Sequence, residues 1–161
     1  PSRETRVMAS TTLLCTDGSD VAIQALRAAL PVLAPADRTV VVTVESDADP
    51  ELTAGTGFAG AVSEDLSAQI ETTGDVVAKH VIDATVAALQ LDETIADLEI
   101  MAIVGRPGPA ICELATSLDA TAIVIGSSGR SGLRRAVMGS TSDHVVRHAP
   151  CPVVVQGVGH A

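Results

Sequence analysis

Three glycines near the end of the chain are spaced in a way that suits phosphate binding. Gly126 and Gly129 are separated by two residues, and nine more residues lead to Gly139-Ser140. Glycine lets backbone amides approach a ligand without a Cβ in the way, and a helix N-terminus offers unpaired N–H donors. We therefore predict that Gly139-Ser140-Thr141 opens a helix whose amides and hydroxyls bind phosphate. The alternative is a tight turn at Gly126 and an ordinary helix N-cap at Ser140.

The charge distribution favours an anionic ligand in the same segment. The chain carries 10 Lys and Arg against 20 Asp and Glu, a formal net charge of −10, which argues against nucleic acid and anionic membranes as partners. Between residues 126 and 150, however, four arginines accompany a single aspartate. One of them, Arg130, lies in the spacer before Gly139 and can pair with a phosphate. A solvent-facing arginine is the alternative.

Few other side chains could bind a metal or take part in catalysis. His144 and His148 lie four residues apart on a predicted helix and could share a metal, but without an evident third ligand they are interpreted as surface or interface histidines. Cys15, Cys112 and Cys151 are widely spaced without a CxxC pattern, which indicates reduced thiols in a cytoplasmic protein. We expect no catalytic residue and no metal ligand in the protein.

The segments around these residues alternate between strand-like and helix-like patterns. Strands are predicted at Thr11–Thr16, Thr39–Val44, Leu98–Val104, Thr121–Ile125 and Pro152–Val155. Helices are predicted over about Val21–Leu30, Val62–Leu91, Pro107–Leu118 and Ser140–His148, with a loop over Glu45–Thr56. This order predicts an α/β fold with a five-stranded parallel sheet and helices on both faces. Because 47% of the residues are apolar and only 1% aromatic, aliphatic side chains must form the core.

Four residues at strand ends should lie along one edge of this sheet. Asp17, Glu45, Gly105 and Gly126 each end or follow a predicted strand. In open parallel sheets the ligand lies beyond the carboxyl ends of the strands, where the strand order reverses. The sequence therefore predicts that Asp17 and the phosphate-binding glycines share one ligand site.

Three common nucleotide or hydrolase motifs are absent. The sequence contains no G-x4-G-K-[S/T], and Lys79 is its only lysine, which argues against a P-loop NTPase. No G-x-G-x-x-G follows the first strand, so a dinucleotide-binding protein is disfavoured. No G-x-S-x-G supports a hydrolase.

The ordered motifs resemble those of the universal stress protein family. Residues 126–141 match its G-x2-G-x9-G-[S/T] pattern without a gap, and Cys151-Pro152-Val153-Val154-Val155 is similar to its final strand. The first strand leads into Thr16-Asp17-Gly18-Ser19, and Val104-Gly105-Arg106-Pro107 resembles the turn before the third helix. The resemblance implies a Rossmann-like fold of the adenine nucleotide alpha hydrolase-like type.

An adenine nucleotide site is implied by the same resemblance. Asp17 resembles the acidic residue that contacts ribose, Val44 the position whose backbone meets adenine, and Ile125 a residue beside the base. The other implied ligand contacts come from Thr16, Gly126, Ser127, Gly129, Arg130, Gly139, Ser140 and Thr141. The alternative for Asp17 is a turn or helix-start role. ATP, or AMP or ADP, would bind with Mg²⁺ or Mn²⁺ held mainly by the phosphates.

The resemblance also implies an organisation and a role. Residues 11–156 form the domain, residues 1–10 an N-terminal extension, natural or added, and residues 157–161 a tail. A cytoplasmic homodimer, paired through the C-terminal strand, would act as a nucleotide-dependent switch or interaction module in stress response or signalling. Slow ATP hydrolysis or autophosphorylation is the most catalysis expected. No apolar run approaches the ~20 residues of a membrane span.

Two other functions remain open at this point. One is an enzyme of the same fold, which transfers an adenylyl group or hydrolyses ATP, although neither Ser-Gly-Gly-x-Asp-Ser nor His-x-Gly-His occurs near the first strand. The other is an interaction module that binds no nucleotide.

Overall fold

The computed structural model describes residues 9–33, 35–45, 79–91, 95, 97–127 and 138–157. They contain five strands: β1 (Thr11–Cys15), β2 (Arg38–Glu45), β3 (Leu98–Val104), β4 (Ala122–Gly126) and β5 (Val153–Gln156). The helices are α1 (Asp20–Ala29), α2 (helical over residues 79–89), α3 (Pro107–Ser117) and α4 (Ser140–His148). The predicted loop Glu45–Thr56, except Glu45, and the first part of the predicted helix Val62–Leu91 lie outside the described residues.

All five strands are parallel, in the order β3-β2-β1-β4-β5. The predicted five-stranded parallel sheet is therefore confirmed, and the β-branched run of β2 lies between β1 and β3, as its burial requires. Strand ends differ from the sequence prediction by one residue in most cases, because hydrogen bonding extends β4 and β5 to Gly126 and Gln156.

Side chains alternate between the two faces of the sheet, and each face is covered by helices. On β2, Val40 and Val42 pack with Ile111 of α3 and Val145 of α4. Val41 faces the other side, where the core contains residues of α1 and α2 such as Leu26 and Ile82. The buried residues of the first cluster are aliphatic apart from Cys15, and those of the second are all aliphatic, in agreement with the composition.

Local sequence signals account for the helix ends. Ser19 caps α1 by accepting a hydrogen bond from the Ala22 amide at 3.2 Å. The α-helix ends at Ala29, before Pro31, and a 3₁₀ turn, Leu30–Val32, continues from its end. Pro107 begins α3, where proline needs no amide partner. None of the helices in the described part of the chain is long and apolar enough to cross a membrane.

Candidate functional site

The strand order reverses beside β1. From β1 the chain proceeds to β2 and β3 on one side, and then to β4 and β5 on the other. The carboxyl ends of β1 and β4 therefore lie side by side where the connections diverge, which is where ligands bind in sheets of this kind. The residues that follow these two strands are Thr16-Asp17 and Ser127.

The start of α4 is bonded to the end of β4. The Gly139 amide donates to the carbonyl oxygen of Ser127 at 2.8 Å, and the buried Ser142 hydroxyl lies 3.1 Å from the same oxygen. The Ser127 amide in turn donates to the Gln156 carbonyl at 2.9 Å. These bonds hold the N-terminus of α4 at the carboxyl edge of the sheet.

This arrangement changes the role of Gly139 that the glycine spacing suggests. Its amide is used by Ser127, so the donors that α4 offers are the first-turn amides of Ser140, Thr141 and Ser142. No side chain among the described residues caps this helix, and its first internal bond runs from the Asp143 amide to the Gly139 carbonyl. The Ser140 side chain is exposed and Thr141 is half-buried, so both hydroxyls can add donors.

On the β1 side, Asp17 is fixed by the start of α1. Its Oδ1 accepts hydrogen bonds from the Ser19 amide at 3.0 Å and from the Ser19 hydroxyl at 2.6 Å. Asp17 therefore has the turn role that is the alternative to a ribose contact. This role does not exclude a ligand contact, because Asp17 is only half-buried and each carboxylate oxygen can accept more than one hydrogen bond.

The Thr16 side chain is directed away from the edge, into the protein. It is 6% exposed, its hydroxyl lies 3.2 Å from that of Thr85 on α2, and it accepts the Gly18 amide at 3.0 Å. The contact that Thr16 can offer a ligand is therefore a backbone contact. Thr85 was not singled out by the sequence, because a threonine within a helical pattern carries no signal of a partner 69 residues away.

Val44 presents its backbone to the same edge. The Val42 carbonyl accepts the Thr16 amide at 3.0 Å, whereas the Glu45 carbonyl accepts the Gly105 amide of the β3 side at 2.8 Å. Since backbone direction alternates along a strand, Val44 directs its N–H and C=O toward the β1 side, past the last residue of β1. Ile125 and Gly126 are buried at the end of β4.

The basic residues of the predicted site are only partly described. Gly129 and Arg130 lie outside the described residues, as do Arg134 and Arg135. Arg147 forms an ion pair with Asp143 at 2.9 Å on the exposed side of α4, so this pair contributes little net charge to the edge.

The histidines of α4 are engaged in packing. The rings of His144 and His148 stack with centroids 4.2 Å apart, and His148 Nδ1 lies 2.9 Å from the His144 carbonyl oxygen. His144 also lies against Gly108 of α3, where an added Cβ would come within 2.8 Å. Across the described residues, no group of three or more His, Cys, Asp or Glu side chains could hold a metal ion.

Cys15 is a core residue rather than a nucleophile. It is 5% exposed, and burial raises its pKa from 9.0 to about 12, with a smaller effect from Cys112 and Cys151. Burial also raises the pKa of Cys112 and Cys151. Thiols with raised pKa values remain protonated at neutral pH and are poor nucleophiles.

Sequence comparison gives a family match over almost the whole chain. The model of the universal stress protein family matches residues 8–156. Universal stress protein MJ0531 of Methanocaldococcus jannaschii is 28% identical over 144 residues, which cover 87% of this chain and 77% of that protein.

Solved structures share the fold. Hypothetical protein MJ0577 superposes with a TM-score of 0.74 at 21% identity, over 96% of this chain and 100% of that one. An Arabidopsis thaliana universal stress protein family protein with AMP bound gives 0.62 at 15% identity, over 93% and 92% of the chains. The universal stress protein from Archaeoglobus fulgidus in complex with dAMP gives 0.53 at 22% identity, over 93% and 98%.

Proposed function

This chain belongs to the universal stress protein family, and we propose that it binds an adenine nucleotide at the carboxyl edge of its sheet. The observation that carries the proposal is the attachment of α4 to β4 through Gly139, Ser142 and Ser127. This attachment holds the first-turn amides of α4 at the point where the strand order reverses. A helix N-terminus in that place favours phosphate through its N–H groups and its dipole.

The other parts of the nucleotide would extend from the phosphates across the end of β1. Asp17 lies there with its carboxylate oriented by Ser19, and a carboxylate is a suitable acceptor for ribose hydroxyls. Val44 would meet adenine through its backbone, with Ile125 beside the base. Gly129 and Arg130 belong to the proposed phosphate site on their motif positions alone.

The AMP and dAMP complexes of the two structural neighbours support adenine as the base. We propose ATP as the ligand, because the G-x2-G-x9-G-[S/T] spacing supplies amides and hydroxyls for more than one phosphate. Mg²⁺ or Mn²⁺ would accompany ATP and would be held mainly by phosphate oxygens and water, since these ions retain several waters when they bind through phosphates.

Function would follow from nucleotide occupancy rather than from turnover. A buried thiol, packed histidines and a turn-bound carboxylate offer no base positioned to activate water. We propose a cytoplasmic, homodimeric switch or interaction module in stress response or signalling, with slow ATP hydrolysis or autophosphorylation at most.

Two measurements test the proposed ligand. Mass spectrometry of small molecules released from the purified, denatured protein should detect an adenine nucleotide. Titration calorimetry of nucleotide-free protein should detect ATP binding that is stronger with Mg²⁺ than in EDTA, while the melting temperature of the unliganded protein is the same in both. If neither ATP nor AMP binds to folded protein, the proposed function is wrong. Equal ATP affinity in Mg²⁺ and EDTA would contradict only the proposed role of the metal ion.

A further inference from the structure

Four groups form a continuous chain of hydrogen bonds behind Asp17. The Gly18 amide donates to the Thr16 hydroxyl at 3.0 Å, and the Thr16 and Thr85 hydroxyls lie 3.2 Å apart. The Thr85 hydroxyl donates to the Val81 carbonyl oxygen at 2.8 Å. Because Thr85 has a single hydroxyl hydrogen and gives it to Val81, Thr16 must be the donor to Thr85. The chain therefore runs in one direction, from the loop after β1 to the backbone of α2.

The position of these hydrogen bonds lets them anchor the loop after β1. Thr85 is 0% exposed, so water does not compete for its hydroxyl, and bonds arranged head to tail in such an environment strengthen one another. Thr16 and Gly18 are the two neighbours of Asp17 in the sequence. Thr16 is bonded directly to α2, and Gly18 is bonded to it through Thr16. The backbone of Asp17 is therefore held from both sides.

A second contact joins the same turn of α2 to the same loop. Gly18 has φ +75°, and a Cβ at Gly18 would lie only 2.7 Å from Val81 Cγ1. The loop thus lies directly on Val81, the residue whose carbonyl ends the hydrogen-bond chain. Two independent contacts, one polar and one steric, seat the Asp17 loop on residues 81–85.

We propose that Thr85 is a positioning residue for the nucleotide: through Thr16 it holds Asp17 in the conformation that contacts the ligand. The proposal rests on the proposed nucleotide function. It assigns Thr85 no ligand contact, because its side chain is fully buried between α2 and the loop. If the loop occupies the binding conformation for only a fraction of the time, the apparent affinity falls in proportion to that fraction.

The test compares variants that differ in one hydroxyl. Thr85→Val keeps the shape of the side chain and removes the hydroxyl, whereas Thr85→Ser keeps the hydroxyl. We expect Thr85→Val to weaken MgATP binding by roughly two- to thirteen-fold, the loss that corresponds to one neutral hydrogen bond. Thr85→Ser should restore most of the affinity. Ile82→Val, a buried change in the same helix that touches no hydroxyl, is the matched control and should bind like wild type.

Amide hydrogen exchange at Gly18 gives a readout without nucleotide. In Thr85→Val the Gly18 amide should exchange faster than in Ile82→Val at equal global stability, because its acceptor Thr16 has lost its own partner. Unchanged MgATP affinity in a folded Thr85→Val protein would overturn the positioning role and leave the proposed function intact. A wild-type protein that binds no nucleotide would overturn both. If neither Thr85→Val nor Thr85→Ala folds, Thr85 is a folding residue and the proposal falls.

Discussion

The Gly139 amide donates to the Ser127 carbonyl oxygen at 2.8 Å, in a backbone conformation (φ −61°, ψ 153°) that any L-residue can adopt. A side chain at position 139 therefore causes no backbone strain. The start of α4 does not need glycine for its geometry. The absence of a Cβ at this position is instead what a close ligand approach requires.

Gly139→Val should abolish detectable ATP binding and leave the protein folded. The added side chain would stand beside the free amides of α4, and a steric block is not limited by the energy of one hydrogen bond. Titration calorimetry measures the binding, and a cooperative thermal melt with a native circular dichroism spectrum checks the fold. ATP binding at wild-type affinity in folded Gly139→Val protein would place the phosphates elsewhere.

Ser140→Ala should have a much smaller effect on the same site. It removes one exposed hydroxyl donor and leaves the amide, so ATP affinity should fall by roughly two- to thirteen-fold, which corresponds to about 0.5–1.5 kcal/mol. Ser117→Ala is the matched control, because Ser117 is an exposed serine at the last residue of α3. If both variants bind ATP with the affinity of wild type, the Ser140 hydroxyl does not contact the ligand.

The sequence predicted the sheet and the start of α4 because both depend on local patterns. Buried β-branched runs give strands, and Gly139-Ser140 gives the start of α4. Contacts between distant segments leave no such pattern. Thr85 bonds to Thr16 across 69 residues, and Ser142 is one more hydroxyl in a serine-rich segment. The use of the Gly139 amide by Ser127 likewise depends on how α4 meets β4.

Cys15 should make the protein less stable in alkaline solution. Its thiol keeps its proton in the folded state until about pH 12, but releases it above pH 9.0 when unfolded. Above pH 9 the unfolded state therefore binds fewer protons, and stability falls as pH rises, by up to about 1.4 kcal/mol per pH unit for this one group. Well below pH 9 the thiol is protonated in both states, so Cys15 then causes no loss of stability.

Denaturant unfolding between pH 8 and 10.5 measures this effect as a difference in slope. Cys15→Ala loses some packing at every pH, but its free energy of unfolding should fall less steeply above pH 9 than that of wild type. Cys112 and Cys151 titrate in both proteins, so the comparison isolates Cys15. Parallel curves for the two proteins would contradict a strongly raised pKa for this thiol.

The proposed homodimer can be tested at β5, through which the two chains would pair. β5 is an edge strand, and the Ile123 amide donates to the Pro152 carbonyl while the Ser127 amide donates to the Gln156 carbonyl. Backbone groups of Pro152, Val154 and Gln156 thus face β4, and by alternation those of Val153 and Val155 face outward. Outward N–H and C=O groups on an apolar strand are a template for pairing with a second chain.

Val155→Pro should therefore give monomers. Proline at this position removes an outward donor and no bond to β4, which is the kind of place where sheets tolerate it. Val155→Ala is the control: it keeps the N–H, so it should remain dimeric if main-chain pairing holds the dimer. A lysine at Val154 would be a poorer test, because that side chain packs against the core between the sheet and α1. Light scattering at micromolar concentration measures the mass. A wild-type protein that is monomeric there, or a folded Val155→Pro protein that stays dimeric, would refute pairing through β5.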